Sequence, residues 1–127
     1  MMQQLSLNTA QRNKVLALAE QWAQSGKLRS PLQKHTTISK TVIDYVIQIF
    51  EAAKKIEPHP QQQKAKAQKL LQREFKSFLY PALNKQARAD LEHLLRHLEQ
   101  DAQVKHLNID ETLLFLYWLR RLTSNKR

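Results

Sequence analysis

The sequence predicts an all-α fold: a single compact bundle of about five helices with a central apolar C-terminal helix. Three observations support this prediction. A chain of 127 residues has the length of one domain, which we assign to residues 1–127. One Gly and four Pro leave little material for hairpin turns. Residues 113–119 are apolar without interruption, and on a helix such a run points in every direction and must be surrounded.

The first two helices are predicted from their caps and their apolar spacing. Asn8 and Gln11 have capping-box spacing, and Gly26 can supply a left-handed residue at the other end. The buried stripe of this helix is Val15, Leu18, Ala19 and Trp22. Residues 38–57 are rich in β-branched side chains and resemble a strand on propensity alone. We predict a helix with Ser39 as a candidate cap, since an apolar stripe persists over three turns: Val42, Val46, Ile49, Phe50 and Ala53.

Three further helices follow a Pro-broken segment, EPHPQQQ. The third is predicted over residues 60–80, where Pro81 stops or kinks it. Asn84 can cap the fourth, whose buried face is predicted as Ala87, Leu91, Leu94, Leu95, Leu98 and Ala102. A connector, QVKHL, leads to the apolar last helix, which begins at a capping box of Asn108 and Glu111. This helix is too short to span a bilayer; either its own chain surrounds it or a partner covers half of it.

Charge is the most informative part of the composition. The net charge of +10 is typical of proteins that contact phosphates, although basic proteins that bind only protein also exist. Residues 64–88 carry seven cations and one anion, whereas residues 89–111 carry two cations and six anions. The absence of Cys excludes disulfides and thiol chemistry and suits a reducing, cytoplasmic location. The N-terminus does not have the pattern of a secretory signal, and no membrane partner is expected.

The third helix carries the strongest candidate for a binding surface. Four cations, spaced three, four and three residues apart, form one row: Lys66, Lys69, Arg73 and Lys76. Apolar residues project from the opposite side: Ala67, Leu71, Phe75 and Phe78. Such a row could follow a sugar-phosphate backbone without reading bases. The competing interpretation is a solvated lysine-rich face, which is how most such faces behave.

Two other groups of cations are candidates for the same role. Arg29, Lys34 and Lys40 lie in or beside a basic connector that we expect to be mobile enough to wrap a nucleic-acid strand. Arg120 and Arg121 either form a further cluster or simply sit favourably at a helix C-terminus, and the sequence leaves both interpretations open.

No catalytic residue, metal ligand or cofactor is predicted. His93 and His97 have the spacing of two zinc ligands on a helix, but the other ligands are missing, and we place the pair on the polar face beside Arg96. A single Gly does not allow a glycine-rich phosphate loop, and no Ser, His and Asp arrangement can be assembled. The aromatic residues Trp22, Tyr45, Phe75, Phe78 and Trp118 are assigned to core packing.

Three segments resemble a known family. The last helix, DETLLFLYWLRRL, is similar to the small subunit of CRISPR effector complexes of the Cascade type and its type III relatives. SPLQKHTTISKTVIDYVIQIF and REFKSFLYPAL are similar to the helical C-terminal region of the large subunit in some type I systems. The resemblance implies several copies of the chain stacked along a guide-RNA filament beside other protein subunits. It also implies basic faces that hold the displaced DNA strand and the backbone of the guide-target duplex.

On this chain the implied role falls to the row on the third helix, with help from Arg29, Lys34 and Lys40. The expected function is therefore that of a non-catalytic subunit that binds DNA and RNA backbones inside a ribonucleoprotein. The alternative is a helical protein-protein adaptor with a solvated basic face.

Overall fold

The computed structural model describes residues 7–32, 36–74 and 84–123. They form six helices: α1 (Thr9–Ser25), α2 (Lys40–Ile56), α3 (Pro60–Glu74), α4 (Lys85–Gln100), α5 (Ala102–Lys105) and α6 (Ile109–Thr123). The described ranges contain one isolated β-bridge and no strand, which confirms the all-α prediction. The β-branched segment 38–57, predicted as a helix, is the helix α2. The predicted end of the third helix, residues 75–80, lies outside the described residues.

The helix termini are fixed by the caps that the sequence predicts. Asn8 Oδ1 accepts from Gln11 N at 2.8 Å, and Asn8 N donates to Gln11 Oε1 at 3.0 Å. Asn108 and Glu111 make the same reciprocal pair at 2.9 and 2.8 Å. Gly26 has a φ of 87°, the left-handed conformation expected after α1. Reciprocal caps satisfy backbone N–H groups that have no partner within the helix, so these starts are locally encoded.

The core is organised around α6, which packs against α1 and α2, while α3 packs mainly on α2. Six of the seven apolar residues 113–119 are buried, and Trp118 is half-buried. Trp22 of α1 meets Phe115 of α6 edge to face, with ring centroids 4.8 Å apart. The chain itself therefore surrounds the last helix. Of the other aromatic residues assigned to the core, Tyr45 is half-buried, and Phe75 and Phe78 lie outside the described residues.

The chain between α4 and α6 differs from the prediction. We predicted a connector there and a buried Ala102, whereas α4 ends at Gln100 and Ala102 is exposed at the start of α5. Asp101 causes the difference, because its carboxylate accepts from Gln103 N at 2.9 Å and Val104 N at 3.1 Å. Asp101 itself has an extended backbone, so α4 ends there and these bonds begin a new helix.

The connector between α1 and α2 is held at both ends. Arg29 and Thr37 form the antiparallel bridge, and Ser30 N donates to the carbonyl oxygen of Thr36 at 2.9 Å. Asp90 of α4 is 0% exposed and accepts from Ser30 Oγ at 2.7 Å and from Ser39 N at 3.3 Å. The ends of the connector, which the sequence predicts to be mobile, are thus hydrogen-bonded to each other and to α4. Residues 33–35 lie outside the described residues.

Candidate nucleic-acid interface

The outer face of α3 carries the described members of the predicted row. Lys69 and Arg73 are exposed and Lys66 is half-buried, whereas Ala67 and Leu71 are buried on the opposite side. The first and last of these cations are seven positions apart in sequence, which is about 10 Å along a helix axis. Lys76, the fourth predicted member, lies outside the described residues. We call Lys66, Lys69 and Arg73 the α3 row.

Most of the chain's carboxylates are used inside the fold. Six of the eleven acidic residues bind partners more than 50 residues away in sequence: Asp44, Glu51, Asp90, Asp101, Asp110 and Glu111. Three of them form a seam between α2 and α6. There Lys54 pairs with Asp110 at 2.5 Å, Tyr117 Oη donates to Glu51 at 2.6 Å, and Arg120 pairs with Asp44.

Contacts within the fold favour the charged form of two of these carboxylates. Burial alone would raise the pKa of Asp101, but Lys27 and the backbone N–H groups of Val104 and Gln103 outweigh burial and lower it. Burial likewise opposes a lowered pKa at Glu111, where the backbone N–H of Asn108 and the cation of Lys14 prevail. Both side chains therefore remain anionic at neutral pH and act as fixed internal acceptors.

The ion pairs seen between described side chains do not include the α3 row. Lys14, Lys27, Lys54 and Arg120 supply the cations of four ion pairs in the described part of the chain. None of these pairs includes Lys66, Lys69 or Arg73. Since the described carboxylates are mostly committed to the interior, the outer face of α3 is a cationic surface.

Arg120 and Arg121, near the end of α6, make contacts other than those of the α3 row. Arg120 lies on the α2–α6 seam, where its guanidinium pairs with Asp44. The Arg121 guanidinium lies over the Trp118 ring, 5.2 Å from the ring centroid. Both side chains thus have structural contacts within the fold, which were not visible from the helix-end pattern.

The connector cations belong to other elements than the α3 row. Arg29 is exposed at the β-bridge, and Lys40 is exposed as the first residue of α2. Lys34 lies outside the described residues. Their contribution to a shared surface with the α3 row remains a prediction.

Lys64, two residues before the row, has a different role that sequence spacing did not reveal. Its ammonium donates to the carbonyl oxygens of Val104 and Leu107 at 2.8 Å each and to that of Lys105 at 3.3 Å. These carbonyls surround the C-terminal end of α5, so Lys64 fastens α3 to the α5–α6 corner. Burial lowers the pKa of Lys64 to about 8, and attraction to Glu111 partly opposes this.

Lys64 is expected to make stability rise with pH in the alkaline range. Its folded pKa of about 8 lies below the ordinary value of 10.5, so between these values the unfolded chain binds more protons than the folded chain. Unfolding is then progressively disfavoured as pH increases. We would measure the free energy of unfolding of the wild type and Lys64→Met by chemical denaturation at pH 7.5, 9 and 10. The stability of the wild type relative to the variant should increase with pH. Lys69→Met, at an exposed position, should leave the pH profile unchanged; equal profiles for all three proteins would contradict this role.

The histidine pair is half-buried rather than on a polar surface, so that placement was wrong. His93 Nε2 donates to the carbonyl oxygen of Lys27 at 2.9 Å, and His97 packs edge-on against Trp22 at 5.7 Å between ring centroids. Burial and then the neighbouring His93 lower the pKa of His97, which favours the neutral ring. Among the described residues, no group of three His, Asp or Glu side chains could hold a metal ion.

Comparisons with known proteins do not identify the chain. The sequence matches no protein-family model, and neither the curated proteins nor the solved structures give a significant match. The resemblance to CRISPR small subunits therefore stays a prediction. In the part of the chain that the structure describes, no helix is both long and apolar enough to cross a membrane.

Proposed function

We propose that the protein is a non-catalytic subunit that binds nucleic acid by holding a phosphate backbone on the outer face of α3. The observation that carries this proposal is the separation of charge. Six acidic side chains are engaged within the fold, while Lys66, Lys69 and Arg73 make no ion pair with any described residue. Contacts of this kind fix a backbone without reading its sequence.

The narrower proposal is membership of a CRISPR-type ribonucleoprotein complex. There the chain would act with other protein subunits and further copies of itself, and it would stabilise the displaced DNA strand and the guide-target duplex. The similarity of three sequence segments and the all-helical fold support this assignment. A helical adaptor is the second candidate, and the exposed apolar residues Ala52 and Ile56 on α2 favour it.

Replacement of the α3 row should remove nucleic-acid binding. Three neutralised phosphates predict that log affinity falls against log salt with a slope of about −2 on single strands and about −2.7 on duplex. We expect wild type to bind labelled DNA and RNA of unrelated sequences with such slopes, and Lys66→Glu/Lys69→Glu/Arg73→Glu to bind at least ~100-fold more weakly. Fluorescence anisotropy across a salt series measures both.

A matched control variant distinguishes binding by the α3 row from binding that depends on net charge alone. Lys85→Glu/Arg96→Glu/Lys105→Glu changes the net charge equally at three exposed positions on other elements. It should retain most of the affinity, and circular dichroism should show both variants folded. Equal losses in the two variants would assign binding to net charge and not to α3. Salt-independent binding to protein partners, without nucleic-acid binding, would favour the adaptor.

A further inference from the structure

Three rings pack together where the end of α1 meets α4. The His97 ring lies edge-on to the Trp22 ring, with centroids 5.7 Å apart, and edge-on to the His93 ring, with centroids 4.5 Å apart. His93 Nε2 donates to the carbonyl oxygen of Lys27 at 2.9 Å. An Nε2–H makes this bond whether or not the other ring nitrogen carries a proton, so a charged His93 keeps it. His97, in contrast, is held by ring contacts that suit a neutral imidazole.

The titratable groups that face His97 are mostly basic. They belong to α4, to the connector after α1 and to the cap of α5: His93, Arg96, Lys27 and Asp101. The oxygens of Asp101 are already occupied, because Oδ2 accepts from Lys27 Nζ at 2.6 Å and Trp22 Nε1 at 3.2 Å, and Oδ1 accepts from two backbone N–H groups of α5. This carboxylate therefore cannot turn toward a charged His97 ring without losing a donor. We call the contact of His97 with these groups and with Trp22 the His97 corner.

An open cleft adjoins the His97 corner. It has a volume of about 330 Å³, and its lining includes Gln21, Gln24 and Gln103 as well as Trp22. The Trp22 side chain is only 1% exposed, although it forms part of the cleft wall. Water can therefore reach the contact between Trp22 and His97 as soon as the two rings separate.

We propose that the His97 corner is a pH-sensitive switch, in which protonation of the His97 ring separates the end of α1 from α4 and exposes Trp22. In the closed state a charged His97 ring would be half-buried against Trp22 among basic groups. In the open state water from the cleft solvates the charge. The switch does not depend on nucleic-acid binding by α3.

The direction of the switch follows from the proton balance. Burial first, and then the neighbouring basic groups, lower the pKa of His97 from its ordinary value of 6.5, and Asp101 only partly opposes them. The closed state thus binds fewer protons than the open state, so opening increases as pH falls below about 6.5. Asp101 stays anionic in this range, because its own pKa is lowered as well.

Acrylamide quenching of Trp22 fluorescence tests the switch in the full-length chain. Trp118→Phe leaves Trp22 as the single tryptophan, and the quenching constant then measures access to its ring. In this background the constant should rise at least ~threefold between pH 7.5 and 5.5, with the midpoint that NMR titration gives for the His97 ring. His97→Phe keeps a ring against Trp22 and cannot be charged, so its constant should stay low at both pH values. His97→Gln repeats this test without depending on the packing of a ring.

An exposed histidine provides the matched control. His59→Gln should keep the pH response of the Trp118→Phe protein. An equal rise in His97→Phe and His97→Gln would assign the opening to another group and overturn the proposal. A quenching constant that is unchanged at pH 5.5 also overturns it. So does loss of the helical circular dichroism at that pH, since the whole chain then unfolds and the change is not local to one corner.

Discussion

Phe115→Ala is expected to lower the free energy of unfolding by about 3–5 kcal/mol, the range for a truncated buried aromatic side chain. Phe115 is 0% exposed at the middle of α6, and its ring lies at 87° to that of Trp22. The loss combines the transfer free energy of the ring with the cost of a cavity, which the closely packed helices α1 and α2 can only partly fill. Urea denaturation followed by circular dichroism measures the change.

A control at a less buried position makes this prediction specific to the core. Leu16→Ala on α1 removes a half-buried side chain and should cost clearly less. A double-mutant cycle of Phe115→Leu with Trp22→Leu should give a coupling of about 0.5–1.5 kcal/mol from the edge-to-face contact. A loss below about 1 kcal/mol for Phe115→Ala would show that α6 is not the centre of the bundle.

Asp101→Ala is expected to cost about 2–4 kcal/mol, because one carboxylate serves four donors. It accepts from Lys27 Nζ at 2.6 Å and Trp22 Nε1 at 3.2 Å, and it caps α5 through two backbone N–H groups. Removal leaves the buried indole N–H without its acceptor and the start of α5 without its cap. Denaturation at pH 7 gives the size of the effect, and hydrogen exchange at Gln103 and Val104 should locate it at α5.

The same carboxylate should make the fold sensitive to acid. Its folded pKa is below the ordinary value, so its stabilising contribution is present above the unfolded pKa and is lost as pH falls through the folded pKa. Asp101→Asn should therefore flatten the decline in stability below about pH 4. Glu92→Gln, at an exposed position on α4, should follow the wild-type curve. Parallel curves for the wild type and Asp101→Asn would contradict the assigned hydrogen bonds.

The helix boundaries could be predicted because their determinants are local. Asn8 meets Gln11, and Asn108 meets Glu111, within one turn of chain, so sequence spacing contains the whole interaction. The four-residue α5 has a local cap at Asp101 as well, but it also depends on Lys64, which reaches it from 40 residues away and is not visible in the local sequence. A helix this short is unfavourable alone and forms only where the rest of the fold supplies its caps.

The sequence predicted which cations share the outer face of α3, but not which charged side chains are paired inside the fold. The spacing of Lys66, Lys69 and Arg73 identified an outer face, since helical periodicity alone determines which residues share a side. That spacing did not distinguish Lys64, whose ammonium is turned inward to carbonyl oxygens. Nor did it reveal that Asp44 would bind Arg120, 76 residues further on. Pairings at such distances depend on how helices pack, which the charge count of each segment does not encode.

The packing of α1 on α6 has a consequence for synthesis of the chain. Gln11 donates to Glu111, 100 residues later, and the apolar face of α1 is buried mainly by the last helix. At about 5–20 residues per second, α1 emerges from the ribosome roughly 5–20 seconds before its partner. The neighbouring helices α2 and α3 can pair during that interval, but the face of α1 stays open to chaperones. A ribosome stalled before α6 would therefore hold a nascent chain in which the apolar face of α1 is uncovered.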